Sequence, residues 1–350
     1  MLPPNEQDLP LVTVGVVVLN REWIIRQMLI SMQSQTYPHN KLYVLMVDGG
    51  SKDNTVKIAT EVLAASDFSG YEVVVKESSI PEARNICIQK MKGDYLFFWD
   101  SDVIMEPTAL IRMLEILKKE NVDMLLPTIT VVTVNSVDDL DKKWREWETK
   151  YPRREESKIV QAAGTCDLLI SKKVLAQIAF DPDLTFFEDQ DFSLKATKLG
   201  FKILLTKNVI GFDLKSDRPY SDIYFDMSLG KTLRGLRKKG ALQAQMVVKD
   251  SPSVSRAVLK FLLANKRYFF YIGYVPAIIL TVIGVLLQNL WLALILPVYF
   301  LIYAAAQFKK RGFARGLKAL MRSFIVGVPT TYAFLFYCLK LNFKRSQRVN

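Results

Sequence analysis

Short apolar runs alternate with amphipathic stretches along the first two thirds of the chain. Four of these runs are rich in β-branched or aromatic residues and are too short to cross a bilayer, which predicts buried strands. They are residues 11–19, 42–47, 71–76 and 95–99. A stretch with apolar residues at helical spacing follows the first run, with Ile24, Met28 and Met32 on one face. The pattern therefore predicts alternating strands and helices.

The connections between these segments carry capping signals. Ser79 and Glu82 predict a capping box at the start of a helix. Asn20 is a candidate N-cap of the first helix, and either Asp53 or Asn54 is a candidate N-cap of the second. Because the connections are short, we expect an α/β fold with a mostly parallel sheet and helices on both faces. Polar residues that follow the strands should then converge along one edge of the sheet.

The fourth strand ends in two carboxylates, Asp100 and Asp102. In an open α/β sheet, the space beyond the carboxyl end of a strand is the ligand crevice, so these acids predict a divalent cation that carries phosphates. The alternative is an ordinary turn that begins with Asp.

A second acidic group lies far along the chain, where Glu188, Asp189 and Asp191 follow Phe186 and Phe187. Three acids within four residues are also typical of a helix N-terminus. The alternative to a functional role is therefore that Asp191 caps a helix spanning 192–199.

Charge divides the chain into two parts. The net charge is +12, but all 35 Asp and Glu lie in the first 250 residues, and the residues after Asp250 carry 14 Lys and Arg. A neutral domain followed by a basic, apolar one favours an anionic membrane surface over nucleic acid as partner. The single histidine excludes a histidine-rich metal site, and three widely spaced cysteines suggest reduced thiols.

The apolar runs of the C-terminal part are longer. Residues 268–287 and 290–306 contain no charge, which predicts a hairpin of two membrane spans, and 324–339 is a marginal third span. Basic residues flank the hairpin on both sides, which would place the catalytic part in the cytoplasm. We therefore expect a multi-pass membrane protein. A basic connector (226–267) would precede the membrane domain (268–341), and a basic tail (342–350) would follow it.

Four segments together resemble the successive signatures of the family 2 glycosyltransferases of GT-A fold. They are VTVGVVVLNRE, VDGGSKDNT, ARNICIQKMKGDYLFFWDSD and FFEDQDFSLKATKLGFKI, within residues 11–213. The resemblance implies a catalytic domain at 11–225, after a polar tail (1–10). It also implies a nucleotide diphosphate sugar donor, a divalent cation (Mg or Mn), and transfer with inversion at the anomeric carbon.

The resemblance also assigns roles to residues. It implies that Asp102 is the principal metal ligand, with Asp213 in place of a histidine common in the family, and that Asp189 is the general base. The expected substrate-binding residues are Asn20 and Glu22 at the nucleoside, Asp48 at the nucleobase, Arg84 near the base and phosphates, and Asp100, Glu188 and Asp191.

These observations predict an inverting glycosyltransferase that moves one sugar to a membrane-presented acceptor, which we expect to be a polyprenyl phosphate or a lipid-linked saccharide. One alternative is the same chemistry on a soluble or protein acceptor. Another is a catalytically silent scaffold that binds a sugar nucleotide at the membrane.

Overall fold

The computed structural model describes residues 8–134, 140–164, 167–182, 184, 188–216, 240–241, 243–244, 247, 254–264, 267–311 and 327–346. The chain forms two compact units, Met1–Ile223 and Tyr224–Asn350. Several expectations fall outside the described residues, namely most of the polar tail, Phe186 and Phe187, most of the basic connector, the start of the third apolar run and the end of the basic tail.

The described part of the first unit contains a mixed sheet of nine strands. They are β1 (Val12–Val18), β2 (Leu42–Asp48), β3 (Gly70–Val75), β4 (Tyr95–Phe98), β5 (Val103–Met105), β6 (Met124–Val134), β7 (Ser157–Val160), β8 (Leu169–Ser171) and β9 (Ile203–Ser216). The strand order is β3-β2-β1-β4-β8-β6-β9-β5, and β7 also pairs with β9.

The helices of this unit lie between the strands. They are α1 (Ile25–Gln33), α2 (Thr55–Ala64), α3 (Ile80–Lys90), α4 (Ala109–Lys119), α5 (Leu140–Lys150), α6 (Lys172–Leu175) and α7 (Glu188–Lys198). The predicted capping box at Ser79 and Glu82 is confirmed at the start of α3. Asn20 does not cap α1, because its backbone has a φ of 51° and the helix begins after Ile24.

The sheet has a parallel half, as the alternation of strands and helices predicts. Strands β3, β2, β1 and β4 are all parallel neighbours. Every residue of β2 is buried, which agrees with its continuous apolar sequence. The carboxyl ends of these strands lie at the same edge, where the polar residues of the candidate site begin.

The other half of the sheet is mixed, which corrects the expectation of a mostly parallel sheet. Strand β8 is antiparallel to both β4 and β6, and β9 is parallel to β6 but antiparallel to β5 and β7. Strand β5 begins directly after the turn at Asp100–Asp102, so no crossover helix can bring it back parallel to β4. It pairs with β9 instead, with Val103 opposite Asp213.

The charged, tryptophan-containing stretch near residue 144 forms the helix α5. Its aromatic side chains pack on β9, where the ring centroids of Trp144 and Trp147 lie 4.9 and 5.1 Å from that of Phe212. The helix therefore covers the strand that carries Asp213.

The second unit contains helices in the parts that are described. They are α8 (Val254–Ala264), α9 (Arg267–Leu286), α10 (Leu290–Ala293), α11 (Ile295–Arg311) and α12 (Val328–Ser346). None of the helices in these ranges has both the length and the apolar character needed to cross a membrane.

The prediction of a multi-pass membrane protein is therefore wrong. The run 290–306 does not form one apolar helix, because it breaks after Ala293, and its longer part, α11, continues to Arg311 through two lysines. Residues 328–339 of the third run lie in α12, which carries basic residues in its second half. Residues 268–286 of the first run form one helix, α9, with Pro276 inside it.

Candidate active site

Asn20 and Glu22 join the loop after β1 to the Gly-rich turn after β2. The Oδ1 atom of Asn20 accepts a hydrogen bond from the Lys52 N–H (2.8 Å), and the Asn20 N–H donates to Ser51 Oγ (2.8 Å). Glu22 Oε2 accepts from the N–H and side-chain amide of Asn54 (3.0 and 3.1 Å). These two predicted nucleoside-binding residues therefore hold two site loops together.

Asp48, at the end of β2, is fully buried and shapes the turn that follows it. Its Oδ1 accepts hydrogen bonds from the N–H groups of Gly50 (2.9 Å) and Ser51 (2.8 Å), and its Oδ2 accepts from the Ser51 hydroxyl (2.5 Å). Contact between Asp48 and a nucleobase remains a prediction.

Asp102 and Asp213 meet at the start of β5. The Leu214 N–H donates to the Asp102 carbonyl (2.9 Å), which ties β9 to the Asp-x-Asp turn. The ammonium of Lys215 lies 3.0 Å from Asp102 Oδ2 and 2.6 Å from Asp213 Oδ1. The structure thus brings together both predicted metal ligands, and it adds a lysine between them.

The pKa shifts in this cluster follow from burial and charge. Burial raises the pKa of Asp213, the Asp102 charge raises it further, and Lys215 opposes both effects. Burial would lower the pKa of Lys215, but the charges of Asp102 and Asp213 raise it well above its usual value. Lys215 is therefore a cation at neutral pH.

Sequence reasoning missed two basic residues of this cluster. One is Lys215, although its position two residues after Asp213 on a strand places both side chains on the same face. The other is Arg21, which lies between two predicted site residues. Its Nε is 3.7 Å from Asp102 Oδ2, and its Nη1 donates to the carbonyls of Leu19 (3.1 Å) and Asn20 (3.3 Å).

Sequence reasoning also missed Asp167, which lies just before β8 and holds the turn that contains Asp100 and Asp102. Asp167 is fully buried, has a φ of 56°, and accepts a hydrogen bond from the Asp100 N–H at Oδ1 (3.1 Å). Burial and the nearby Asp100 charge raise the pKa of Asp167 well above its usual value. Asp100 is thus positioned by Asp167 through its backbone.

The donor chemistry of this cluster fits an oxygen-preferring cation. The carboxylates of Asp102 and Asp213 are ligands of the kind that Mg²⁺ or Mn²⁺ accepts, and Mg²⁺ sites often use only one or two of them besides substrate phosphates. Among the described residues, no group of three or more His, Cys, Asp or Glu is arranged to hold a metal ion. A cation between Asp102 and Asp213 would need the ammonium of Lys215 to move.

Arg84 pairs with Glu188 at the start of α7. Arg84 Nη1 donates to Glu188 Oε1 (3.0 Å), and the side chains are only 8% and 12% exposed. The guanidinium carbon also lies 5.8 and 5.3 Å from the ring centroids of Phe98 and Phe180. Burial raises the pKa of Glu188, against the opposing effect of Arg84. The contact between Arg84 and a base or phosphates remains a prediction.

Helix α7 begins at Glu188, so Asp191 is not the cap of a helix that starts at residue 192. All three acids of this segment lie in its first turn, where the helix dipole favours negative charge. Asp189 is half-buried, and its Oδ1 accepts a hydrogen bond from the Gln190 N–H (2.7 Å). Asp191 Oδ2 pairs with Lys195 (2.6 Å).

Comparison with known proteins shows what this region is similar to. Residues 13–178 match the sequence model "Glycosyl transferase family 2". Glycosyltransferase AglE of Haloferax volcanii is 26% identical over 216 residues, which cover 61% of this chain and 70% of that protein. The probable glycosyltransferase YdaM of Bacillus subtilis is 22% identical over 209 residues, which cover 57% of this chain and 49% of that protein.

Solved structures show the same fold. S. aureus TarS 1-349 in complex with UDP-GlcNAc superposes with a TM-score of 0.53 at 20% identity, over 69% of this chain and 67% of that one. GalNAc-T7 with UDP, GalNAc and Mn²⁺ gives a TM-score of 0.52 at 16% identity, over 70% of this chain and 50% of that one. Residues 13–178 are thus similar to glycosyl transferase family 2, and the solved structures share the fold of the chain.

Proposed function

We propose that this chain is an inverting glycosyltransferase, which transfers one sugar from a nucleotide diphosphate sugar to an acceptor hydroxyl. Its catalytic domain would be residues 11–225. The observation that carries the proposal is the meeting of Asp102 and Asp213 at the carboxyl edge of the sheet. The structures of the two similar proteins, which contain UDP-GlcNAc or UDP with Mn²⁺, support the choice of donor.

Charge around Asp102 supports a divalent cation as the partner of the donor. Four carboxyl groups interact there, those of Asp100, Asp102, Asp167 and Asp213, against the two basic side chains of Arg21 and Lys215. Even with Asp167 protonated, the cluster keeps an excess of negative charge. When bound, the cation would neutralise the nucleotide diphosphate as it departs from the sugar.

Side chains of the protein would carry out proton removal and nucleoside binding. Asp189 would remove the acceptor proton as the acceptor oxygen attacks the sugar. The pair of Arg84 and Glu188 would fix the turn that carries Asp189, and the loops joined by Asn20, Glu22 and Asp48 would receive the nucleoside. These roles agree with the contacts described above.

The expected lipid-linked acceptor depended on the membrane hairpin. Because the described helices do not support that hairpin, we propose only an acceptor with a hydroxyl group, free or carried by a larger molecule. The alternative of a silent sugar-nucleotide-binding scaffold predicts binding of a donor without turnover.

The test is to incubate the full chain with a panel of UDP- and GDP-sugars, Mn²⁺ or Mg²⁺, and saccharide, protein and polyprenyl phosphate acceptors. We expect release of the nucleotide diphosphate and a glycosylated acceptor, with loss of turnover in EDTA and recovery on adding Mn²⁺. Asp102→Asn should lower metal-dependent donor binding and turnover by about 10²-fold, because it removes a charged ligand.

Glu156→Gln is the matched control for this variant. Glu156 pairs with Lys207 near the other end of β9, so its loss should leave donor binding unchanged. Donor binding without turnover for every sugar and acceptor would favour the scaffold. Full donor binding by Asp102→Asn would contradict the assigned metal ligand.

A further inference from the structure

Lys215 stands where a cation would be shared between two carboxylates. Its single ammonium contacts both Asp102 Oδ2 (3.0 Å) and Asp213 Oδ1 (2.6 Å). The side chains of the acids are 11% and 19% exposed. With these contacts in place, the positive charge that neutralises the two carboxylates comes from a lysine of the protein itself.

The backbone of Lys215 is held in the sheet, but its side chain is partly exposed and can change its conformation. Residue 215 pairs with Thr133 in the long β6–β9 ladder, so the strand itself is held in register. The lysine side chain is 31% exposed and carries its charge on a flexible four-carbon stem. The ammonium can therefore leave the carboxylates by rotation about side-chain bonds.

A divalent cation and this ammonium would compete for the same two carboxylates. They carry like charges, which repel strongly at short distance. Metal binding should therefore displace the ammonium of Lys215, and it should do so more readily when another anion accepts that ammonium nearby. The diphosphate of a bound donor is an anion of that kind.

We propose that Lys215 is an exchangeable counter-ion, which excludes the divalent cation from Asp102 and Asp213 until a nucleotide diphosphate is bound. The inference rests on the proposed function, since it takes the donor as the anion that receives Lys215. Metal and nucleotide then bind cooperatively, and the coupling is reciprocal: each raises the affinity of the other by the same factor. Without nucleotide, the protein keeps its carboxylates neutralised by its own lysine.

The test is the affinity for Mn²⁺ alone, measured by electron paramagnetic resonance on the full chain, for wild type and Lys215→Met. We expect the variant to bind Mn²⁺ about 10-fold more tightly, within the 5- to 150-fold range typical of coupled sites. Adding UDP or GDP should tighten Mn²⁺ binding in the wild type much more than in the variant.

Three further variants keep the test interpretable. Lys207→Met removes a lysine of the same strand that pairs with Glu156 (2.5 Å) away from the cluster, so it should bind Mn²⁺ as the wild type does. Lys215→Arg keeps the charge and should keep the weak binding. Adding Asp102→Asn to Lys215→Met should remove the gain, which shows that the gained ion lies at this site.

Equal Mn²⁺ affinity of the wild type and Lys215→Met would overturn the inference. A gain that Lys207→Met shares would overturn it as well. Sugar transfer by the wild type is measured separately, so its absence counts against the proposed function alone, while a gain of Mn²⁺ affinity in Lys215→Met would still support the exchange.

Discussion

The candidate site contains two ionic groups that differ in composition and in exposure. Arg84 and Glu188 form a pair of one cation and one anion, nearly buried and flanked by the rings of Phe98 and Phe180. The cluster of Asp102, Asp213 and Lys215 has more acids than bases, and its lysine is partly exposed.

This difference suggests that the pair stabilises the fold, whereas the cluster can exchange its lysine for another cation. A buried pair that loses one member leaves an uncompensated charge in an apolar environment, so its loss strongly destabilises the fold. In a partly exposed cluster with excess negative charge, another cation can replace the ammonium of the lysine. We therefore infer that Arg84 and Glu188 hold α7 in place, while the Asp102 cluster receives the metal and donor.

The largest expected effect concerns Asp189, the proposed general base, which follows Glu188 in the first turn of α7. Asp189→Asn keeps the shape of the side chain but removes the proton acceptor, so turnover with a hydroxyl acceptor should fall about 10²- to 10⁴-fold. Donor affinity, measured by calorimetry with Mn²⁺, should change little, because the Asp102 cluster is intact.

Lys195→Met is the control on the same helix, since Lys195 is partly exposed and pairs with Asp191 at the start of that helix. Its turnover should remain within a few fold of the wild type. Wild-type turnover by Asp189→Asn would refute the assignment of the base, and an equal loss in both variants would point to the helix as a whole.

The next effect is on stability. Arg84→Met leaves Glu188 buried without its partner and should lower the free energy of unfolding by about 3–5 kcal/mol in urea denaturation. Lys90→Met, on the same helix, breaks the exposed pair with Glu72 and should cost less than about 1 kcal/mol. The double variant Arg84→Met/Glu188→Leu should recover most of the loss, because it removes both charges.

If Arg84→Met were as stable as Lys90→Met, the Arg84–Glu188 pair would not be structural. Recovery of stability in the double variant without recovery of turnover would show that the contribution of the pair to stability is separate from its contribution to turnover.

The smallest expected effect is the pH dependence of this pair. Burial raises the pKa of Glu188 above its ordinary value of 4.5, so Glu188 holds its proton more tightly in the folded state than in the unfolded chain. The stability that Glu188 contributes is then greatest below its pKa in the unfolded chain, and it declines as pH rises through the folded-state pKa. Glu188→Gln does not titrate and keeps an acceptor for Arg84.

We therefore expect the free energy of unfolding of the wild type, relative to Glu188→Gln, to fall as pH rises from about 4 towards neutral. Urea denaturation of both proteins over this range measures it. A difference that grows with pH would mean that the attraction of Arg84 outweighs the burial of Glu188.

Local sequence signals predicted much of the first unit. The apolar runs gave the parallel strands β1 to β4, and Ser79 with Glu82 gave the start of α3. These elements depend on the propensities of neighbouring residues and on short connections, which a sequence displays directly. The same reasoning failed for the C-terminal runs, where a lack of charge did not show whether a helix continues past Ala293.

The sequence by itself determined the parallel half of the sheet, the acids after β4 and the acidic turn near Asp189, because strand ends and charge runs are local features. Only the tertiary structure decided which groups meet. Asp213 reaches Asp102 through the antiparallel pairing of β5 and β9, Lys215 bridges them, and Arg84 pairs with a residue 104 positions away. Such contacts depend on strand order and on the balance of burial and charge across the folded sheet, which no local pattern in the sequence encodes.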